Sequence, residues 1–231
     1  MPASDHPHPP DGSPPARVVA LVLAVAAAAF LPVLNAGFLS DDFVYLARFR
    51  ELPWSEWPRL LTRDWSGGVW GQPLKELRPF AAASLMLDVR CWGGEPAGYR
   101  VVNLGLHLAA TALVLRLAWR YAAGSLPAAV IAGLVFAVHP AHVETVTWIT
   151  GRPDLLGSVA ALAFVWLGEA FSAGGGRHRA ALALTALLLG VFTKEFCLTV
   201  PLLLALRWAV LDTRAGAAAW RRRAWLLAGA A

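Results

Sequence analysis

Apolar blocks, most of them close to the length of a membrane span, recur along this chain with polar, Gly or Pro residues between them. A helix needs about 20 residues to cross the hydrocarbon of a bilayer. Within lipid only helices and closed barrels satisfy their own backbone. The blocks are runs of Ala, Leu and Val, not the alternation over about ten residues that marks barrel strands. The pattern therefore predicts an all-α integral membrane protein, and composition agrees. Of 231 residues 58% are hydrophobic and only 15% charged, and the mean hydropathy is +0.54.

Six blocks are read as transmembrane helices: residues 18–34, 99–119, 126–148, 155–171, 180–192 and 196–211. The third is bent or ended near Pro140. A final apolar run from Ala224 supplies part of a seventh span. Residues 1–16 hold Pro, His, Ser, Gly and Asp with little apolar surface and read as a disordered cytoplasmic tail, leaving residues 17–231 as one transmembrane domain. A secretory signal is the rival reading of the first block, but Leu34, Asn35 and Ala36 lack the small-x-small cleavage pattern. Residues 36–98 form a long first extracytoplasmic loop. Its Trp54, Trp57, Trp65, Trp70 and Trp92 point to the membrane interface, with interfacial helices expected over 55–64 and 79–92.

The formal charge of +5 and pI near 9.9 come from Arg residues scattered or set beside apolar runs. They read as topology signals and exclude a nucleic-acid footprint. If the tail is cytoplasmic, the positive-inside rule puts Arg116, Arg120, Arg177, Arg179 and Arg207 to Arg223 on the cytoplasmic side. The Asp41 loop, the His139 to Asp154 loop and Lys194 with Glu195 then share the opposite face. The fifth and sixth blocks allow only about 24 Å of rise per arm, so Lys194 and Glu195 are expected in a recess. Cys91 and Cys197 exclude a disulfide scaffold or a zinc ribbon. The great excess of Arg over Lys, with abundant Ala and Gly, fits a GC-rich bacterial genome and a bacterial plasma membrane.

Ionisable residues at the edge of lipid are costly unless something pairs or uses them. Asp41 and Asp42 could bind a divalent metal or supply a general base, because adjacent carboxylates repel and one can rise in pKa; the bland reading is a solvated helix cap. His139, His142 and Glu144 have the types of metal ligands but suit hydrogen bonding to a polar substrate or lipid phosphate better. Arg152 could pair with Asp154, and its planar fork suits phosphate. Lys194 and Glu195 could pair with each other or present an ammonium to a phosphate. Arg78 is an interface anchor or a second phosphate contact. Asn103 and His107, four apart on one helical face, read as glue between helices, and Glu169 as interfacial.

Residues 38–42 (FLSDD), 78–80 (RPF), 98–103 (GYRVVN) with His107, 139–144 (HPAHVE) with 151–154 (GRPD), and 193–195 (TKE) occur together and in this order. The set resembles the membrane part of the transmembrane-and-tetratricopeptide-repeat O-mannosyltransferases and their bacterial relatives, in the GT-C superfamily. The resemblance implies a multispanning, inverting glycosyltransferase. It would take a mannose-like sugar from a polyprenyl-phosphate carrier and pass it to an extracytoplasmic protein or glycan. It implies Asp41 or Asp42 as the base, and Arg78, Arg152 and Lys194 as partners of the leaving phosphate. Relatives commonly have His where this chain has Arg100, and they carry further spans and repeats. The alternatives are a transporter or flippase-like component, whose charges would sit nearer mid-bilayer, and an inactive membrane scaffold.

Overall fold

The computed structural model describes residues 13–212 and 215–230; residues 1–12 of the expected tail lie outside the described residues. Those described are all-helical, without strands, in the order α1 (Ala16–Phe30), α2 (Asp42–Glu51), α3 (Pro79–Trp92), α4 (Pro96–Tyr121), α5 (Leu126–Val138), α6 (His142–Thr147), α7 (Arg152–Ser172), α8 (Arg177–Val191), α9 (Val200–Leu211) and α10 (Ala217–Ala228). Short 3-10 segments extend α1 through Asn35, fill Trp54–Leu61, and lead into α7 from Ile149 and into α9 from Glu195.

Three helical stretches are long and apolar enough to cross a membrane, Ala16–Asn35, Pro96–Tyr121 and Ile149–Ser172. That is the architecture of an integral membrane protein. Pro opens α3, α4, α5, α7 and α9 within the first turn, where its missing N–H had no intrahelical partner to lose. The third expected span breaks at Pro140. His139, the residue before it, is extended at ψ 129°, as the ring of a following proline demands, and α5 stops after 13 residues. α8 and α9 are also short, with 15 and 12 residues.

The first loop departs most from expectation. α2, absent from the sequence reading, packs with α3, which spans the helix expected over 79–92, and the 3-10 segment Trp54–Leu61 stands where a helix over 55–64 was expected. Ala81, Ala82, Leu85, Met86 and Val89 share one face of α3, and all are buried. They meet Tyr45, Phe49, Leu60, Trp65, Tyr99 and Ile149 in a single core. Tyr45 stacks on Trp65 with ring centroids 4.6 Å apart. The loop is thus a packed helical unit seated on the starts of α4 and α7.

One side chain ties that unit to the bundle. Arg152, fully buried at the start of α7, donates to Asp88 of α3 at 2.6 Å, to Ser84 at 2.7 Å, to the Tyr99 carbonyl at 3.0 Å and to the Asn103 side chain. Removing one partner of a buried ion pair strands the other charge and costs about 3–5 kcal/mol. Asp88→Ala should therefore lower the unfolding temperature in detergent far more than Glu56→Ala, which removes only an exposed i,i+3 pair with Arg59. Equal shifts in thermal unfolding followed by tryptophan fluorescence would contradict this role.

Candidate active site at the start of the seventh helix

Residues 139–154 fold as a turn at Pro140, the short α6, a 3-10 turn and the first turn of α7. Gly151 allows this compactness: a Cβ there would stand 3.3 Å from the Thr145 backbone. Each step from Thr150 to Asp154 reaches a different part of the chain.

Thr150 holds the acidic pair in place. Its backbone N–H and its hydroxyl donate to one oxygen of Asp42, at 3.0 and 3.1 Å, and the Leu39 N–H donates to the other at 3.0 Å. Asp42 is fully buried. Burial raises its carboxyl above the usual range, opposed by the bonds from Leu39 and Thr150. Asp41 is different. It is partly exposed, and among the described residues the one side-chain bond to its carboxylate comes from the Ser40 hydroxyl at 3.0 Å. Ser40 has a φ of +43°, a left-handed conformation that costs a residue with a side chain, so the turn that presents the pair is held under strain. Ser40 also lines a cleft of about 450 Å³ with Leu39, Val143, Glu144, Thr147 and Trp148. The two acids expected as a unit therefore divide: Asp42 is a buried tie, and Asp41 is partly exposed, next in the chain to the cleft-lining Ser40.

Glu144 is exposed on the cleft wall and His139 is exposed next to it. The partly buried His142 packs between the rings of Phe136 and His107, with centroids at 4.5 and 5.1 Å. Burial, then His107 and His139, depress its pKa, which favours the neutral, hydrogen-bonding imidazole. His107 donates from Nε2 to the Ala137 carbonyl, 2.9 Å away, and Asn103 donates to the Trp148 carbonyl at 3.1 Å. Both act as the interhelical ties read from sequence. Among the described residues no three His, Cys, Asp or Glu side chains converge as metal ligands, and both oxygens of Asp42 already accept from protein donors.

The basic residues sort into two kinds. Arg152 has no exposed surface, and each of its three nitrogens has a protein partner, so its guanidinium is not presented to a phosphate. It pairs with Asp88, not Asp154. Asp154 instead accepts from Lys194 at 3.3 Å, and Glu195 from Arg78 at 3.4 Å. The expected pairs within 152–154 and 194–195 are exchanged for pairs between elements. Gly157 makes the exchange geometrically available, since a Cβ there would lie 3.1 Å from the Lys194 and Phe196 side chains. Arg78 also pairs with Glu76 at 2.9 Å and lies over Trp65, 5.5 Å from the ring centre. Lys194 remains partly exposed.

Sequence reasoning missed Thr150 and Asp88, and gave Arg100 no structural role. Arg100 is fully buried and clamps the backbone carbonyls of Ala36, Gly37 and Thr147. The available signal was the spacing of Arg100, Asn103 and His107 along one face of an otherwise apolar helix. Glu169, expected at the interface, is buried and accepts from Arg207 at 2.7 Å and Trp208 at 3.1 Å, because α9 and the end of α4 close over it.

With this geometry in place, the chain is similar to the protein O-mannosyl-transferases. It is 38% identical to Tmtc2 of Drosophila melanogaster over 141 residues, which cover 58% of this chain and 14% of that protein. It is also 38% identical to Tmtc1 of the same fly over 146 residues, covering 60% and 16%, and 30% identical to human TMTC3 over 154 residues, covering 64% and 16%. The likeness thus spans about one seventh of each of these relatives. No model of a protein family matches the chain, and no solved structure matches it.

A carboxyl whose folded pKa is raised stabilises the fold fully below its unfolded pKa, and that contribution is lost as pH rises through the folded value. Burial places Asp42 in that class. Wild-type stability should therefore fall, as pH rises above the ordinary carboxylate value of 3.8, by more than that of Asp42→Asn. Parallel thermal-unfolding profiles for the two proteins across that window would contradict the assignment.

Proposed function

We propose that this chain forms the catalytic region of an inverting glycosyltransferase, which moves a mannose-like sugar from a polyprenyl-phosphate carrier to a hydroxyl of an extracytoplasmic protein. The observation that carries the reading is the division of the acidic pair, with Asp41 partly exposed next to the cleft-lining Ser40 while Asp42 is locked to Thr150. The names of the relatives add mannose and protein acceptors to a site whose chemistry suits them.

In this reading Asp41 removes the proton of the acceptor hydroxyl. The oxygen attacks the anomeric carbon, the bond from that carbon to the phosphate oxygen breaks, and the polyprenyl phosphate leaves from the opposite face. Charge then grows on the phosphate, and fixed cations stabilise it best when placed in advance. Lys194 and Arg78, held by Asp154 and Glu195, are the cations with exposed surface for this, and Arg152 positions the helix whose Asp154 holds Lys194. Neutral His142, with His139 and Glu144, hydrogen-bonds the sugar or the acceptor. The fold is six spans and part of a seventh, α8 and α9 forming the short fifth and sixth. The site lies on the extracytoplasmic side of a bacterial plasma membrane.

Asp41→Asn keeps the side-chain shape and removes its basicity. Sugar transfer in membranes containing the protein should fall about 100- to 10,000-fold, while binding of the polyprenyl-phosphate sugar persists. Near-normal transfer by Asp41→Asn would end the assignment. Sidedness is read separately, in a background lacking Cys91 and Cys197: a membrane-impermeant thiol reagent should label Gln72→Cys from outside intact cells and His178→Cys only after lysis. Labelling of both from the same side would refute the six-span arrangement.

A further inference from the structure

The far end of α7 carries a second cavity, unrelated to the acids and histidines above. α7 runs for 21 residues from Arg152 to Ser172, about 30 Å at 1.5 Å per residue. There, a cavity of about 420 Å³ lies between the α7–α8 turn and α10. Phe171, Gly175, Gly176, Arg177, Arg221 and Trp225 line it, together with Arg222 and Ala218. The volume falls in the range of small-ligand sites.

Its electrostatics are one-sided. Three of its eight lining residues are arginines and none is acidic. Among the described residues no carboxylate pairs with Arg177, Arg221 or Arg222. Arg222 is held by two bonds from its guanidinium to the Ser172 carbonyl, at 3.1 and 2.9 Å. Arg223, by contrast, turns away into a buried pair with Asp212. The fold adds further positive charge. α8 begins at Arg177 with no side-chain cap and no acid in its first turn, whereas the positive end of a helix dipole favours acids there. Arg177, His178 and Arg179 occupy that turn. So much like charge around a formed cavity is unfavourable until an anion enters.

Depth in the membrane indicates the kind of anion. Trp225 on the cavity wall and Trp220 nearby are exposed, at 53% and 38%, and exposed Trp beside Arg marks the headgroup level of a bilayer. We propose that this cavity binds a phosphate group at the membrane surface opposite the catalytic region, with Arg177 and Arg221 supplying the charged contacts and Arg222, fixed at the Ser172 carbonyl, adding a third cation to its wall. The phosphate comes either from the headgroup of an anionic phospholipid or from solution, and the two sources are separable.

The test uses the whole chain in nanodiscs of phosphatidylcholine alone, of phosphatidylcholine with phosphatidylglycerol, or of phosphatidylcholine with inorganic phosphate added to the buffer. Thermal unfolding and native mass spectrometry of retained lipid provide the readouts. A rise in unfolding temperature with retained phosphatidylglycerol identifies a lipid headgroup; a rise with inorganic phosphate alone identifies the free anion. Arg177→Gln with Arg221→Gln should weaken the effective ligand about ten-fold or more, as expected for lost charge-assisted bonds. Ala218→Glu, which puts an acid on the cavity wall and leaves every arginine in place, should do the same. Wild-type protein that responds to neither phosphatidylglycerol nor phosphate overturns the proposal, whatever the variants do. A response that survives both Ala218→Glu and the double substitution overturns it equally.

Discussion

A guanidinium buried without a partner would destabilise this fold by more than almost any other single defect, and Arg152 escapes that cost only because three helices meet at it. Asp88 comes from α3, Tyr99 and Asn103 from α4, and Arg152 itself from α7. Satisfying one charge therefore fixes how the first loop sits on the bundle. Once α7 is placed, Thr150 lies one step ahead of Gly151 to hold Asp42, and Asp154 lies half a turn beyond Arg152 to hold Lys194. The candidate active site is the set of partners that this helix start collects.

Two of the charges on α7 stand against its own dipole. Arg152 stands at the positive end, and Glu169 in the last turn at the negative end. Both are compensated by neighbours, Asp88 at one end and Arg120 with Arg207 at the other. Such a helix depends on its surroundings for placement, and it is the element to which α4, α8 and α10 are all packed. In a bilayer, where apolar contact alone discriminates poorly between one helix face and another, these polar ties set register. Small residues then permit close approach, as where Gly190 leaves room for Cys197 and Ala160.

The two ends of α7 differ in charge. Near its start, the cleft wall carries Glu144, while Lys194 and Arg78 are restrained by Asp154 and Glu195, the groups on which the proposed transfer rests. At its finish, arginines surround a cavity without acids, an arrangement suited to holding an anion in place. Arg152 and Arg222 make the contrast plain: one is sealed by protein partners, the other is held by a backbone carbonyl on a cavity wall.

Much was legible from the order of residues. Helical class follows from runs of Ala, Leu and Val, because lipid leaves the backbone no other local solution. The break at Pro140 and the shortness of α8 and α9 follow from proline sterics and from counting residues. The clustering of chemistry around 139–154 follows from the cost of charge beside apolar runs. Pairing did not follow. Sequence proximity suggested Arg152 with Asp154 and Lys194 with Glu195, but a side chain can bond only what tertiary packing brings within about 3 Å. Packing brought Asp88 to Arg152, Asp154 to Lys194 and Arg78 to Glu195. Asp41 and Asp42 are adjacent and chemically identical, so nothing local separates them. Only the contact between Asp42 and Thr150, 108 residues apart, buries one and leaves the other partly exposed. The sequence by itself determined which groups exist and that lipid would force them into helices; the tertiary structure alone decided which are used up holding the fold and which remain to do chemistry, because that depends on distances the chain closes only when it packs.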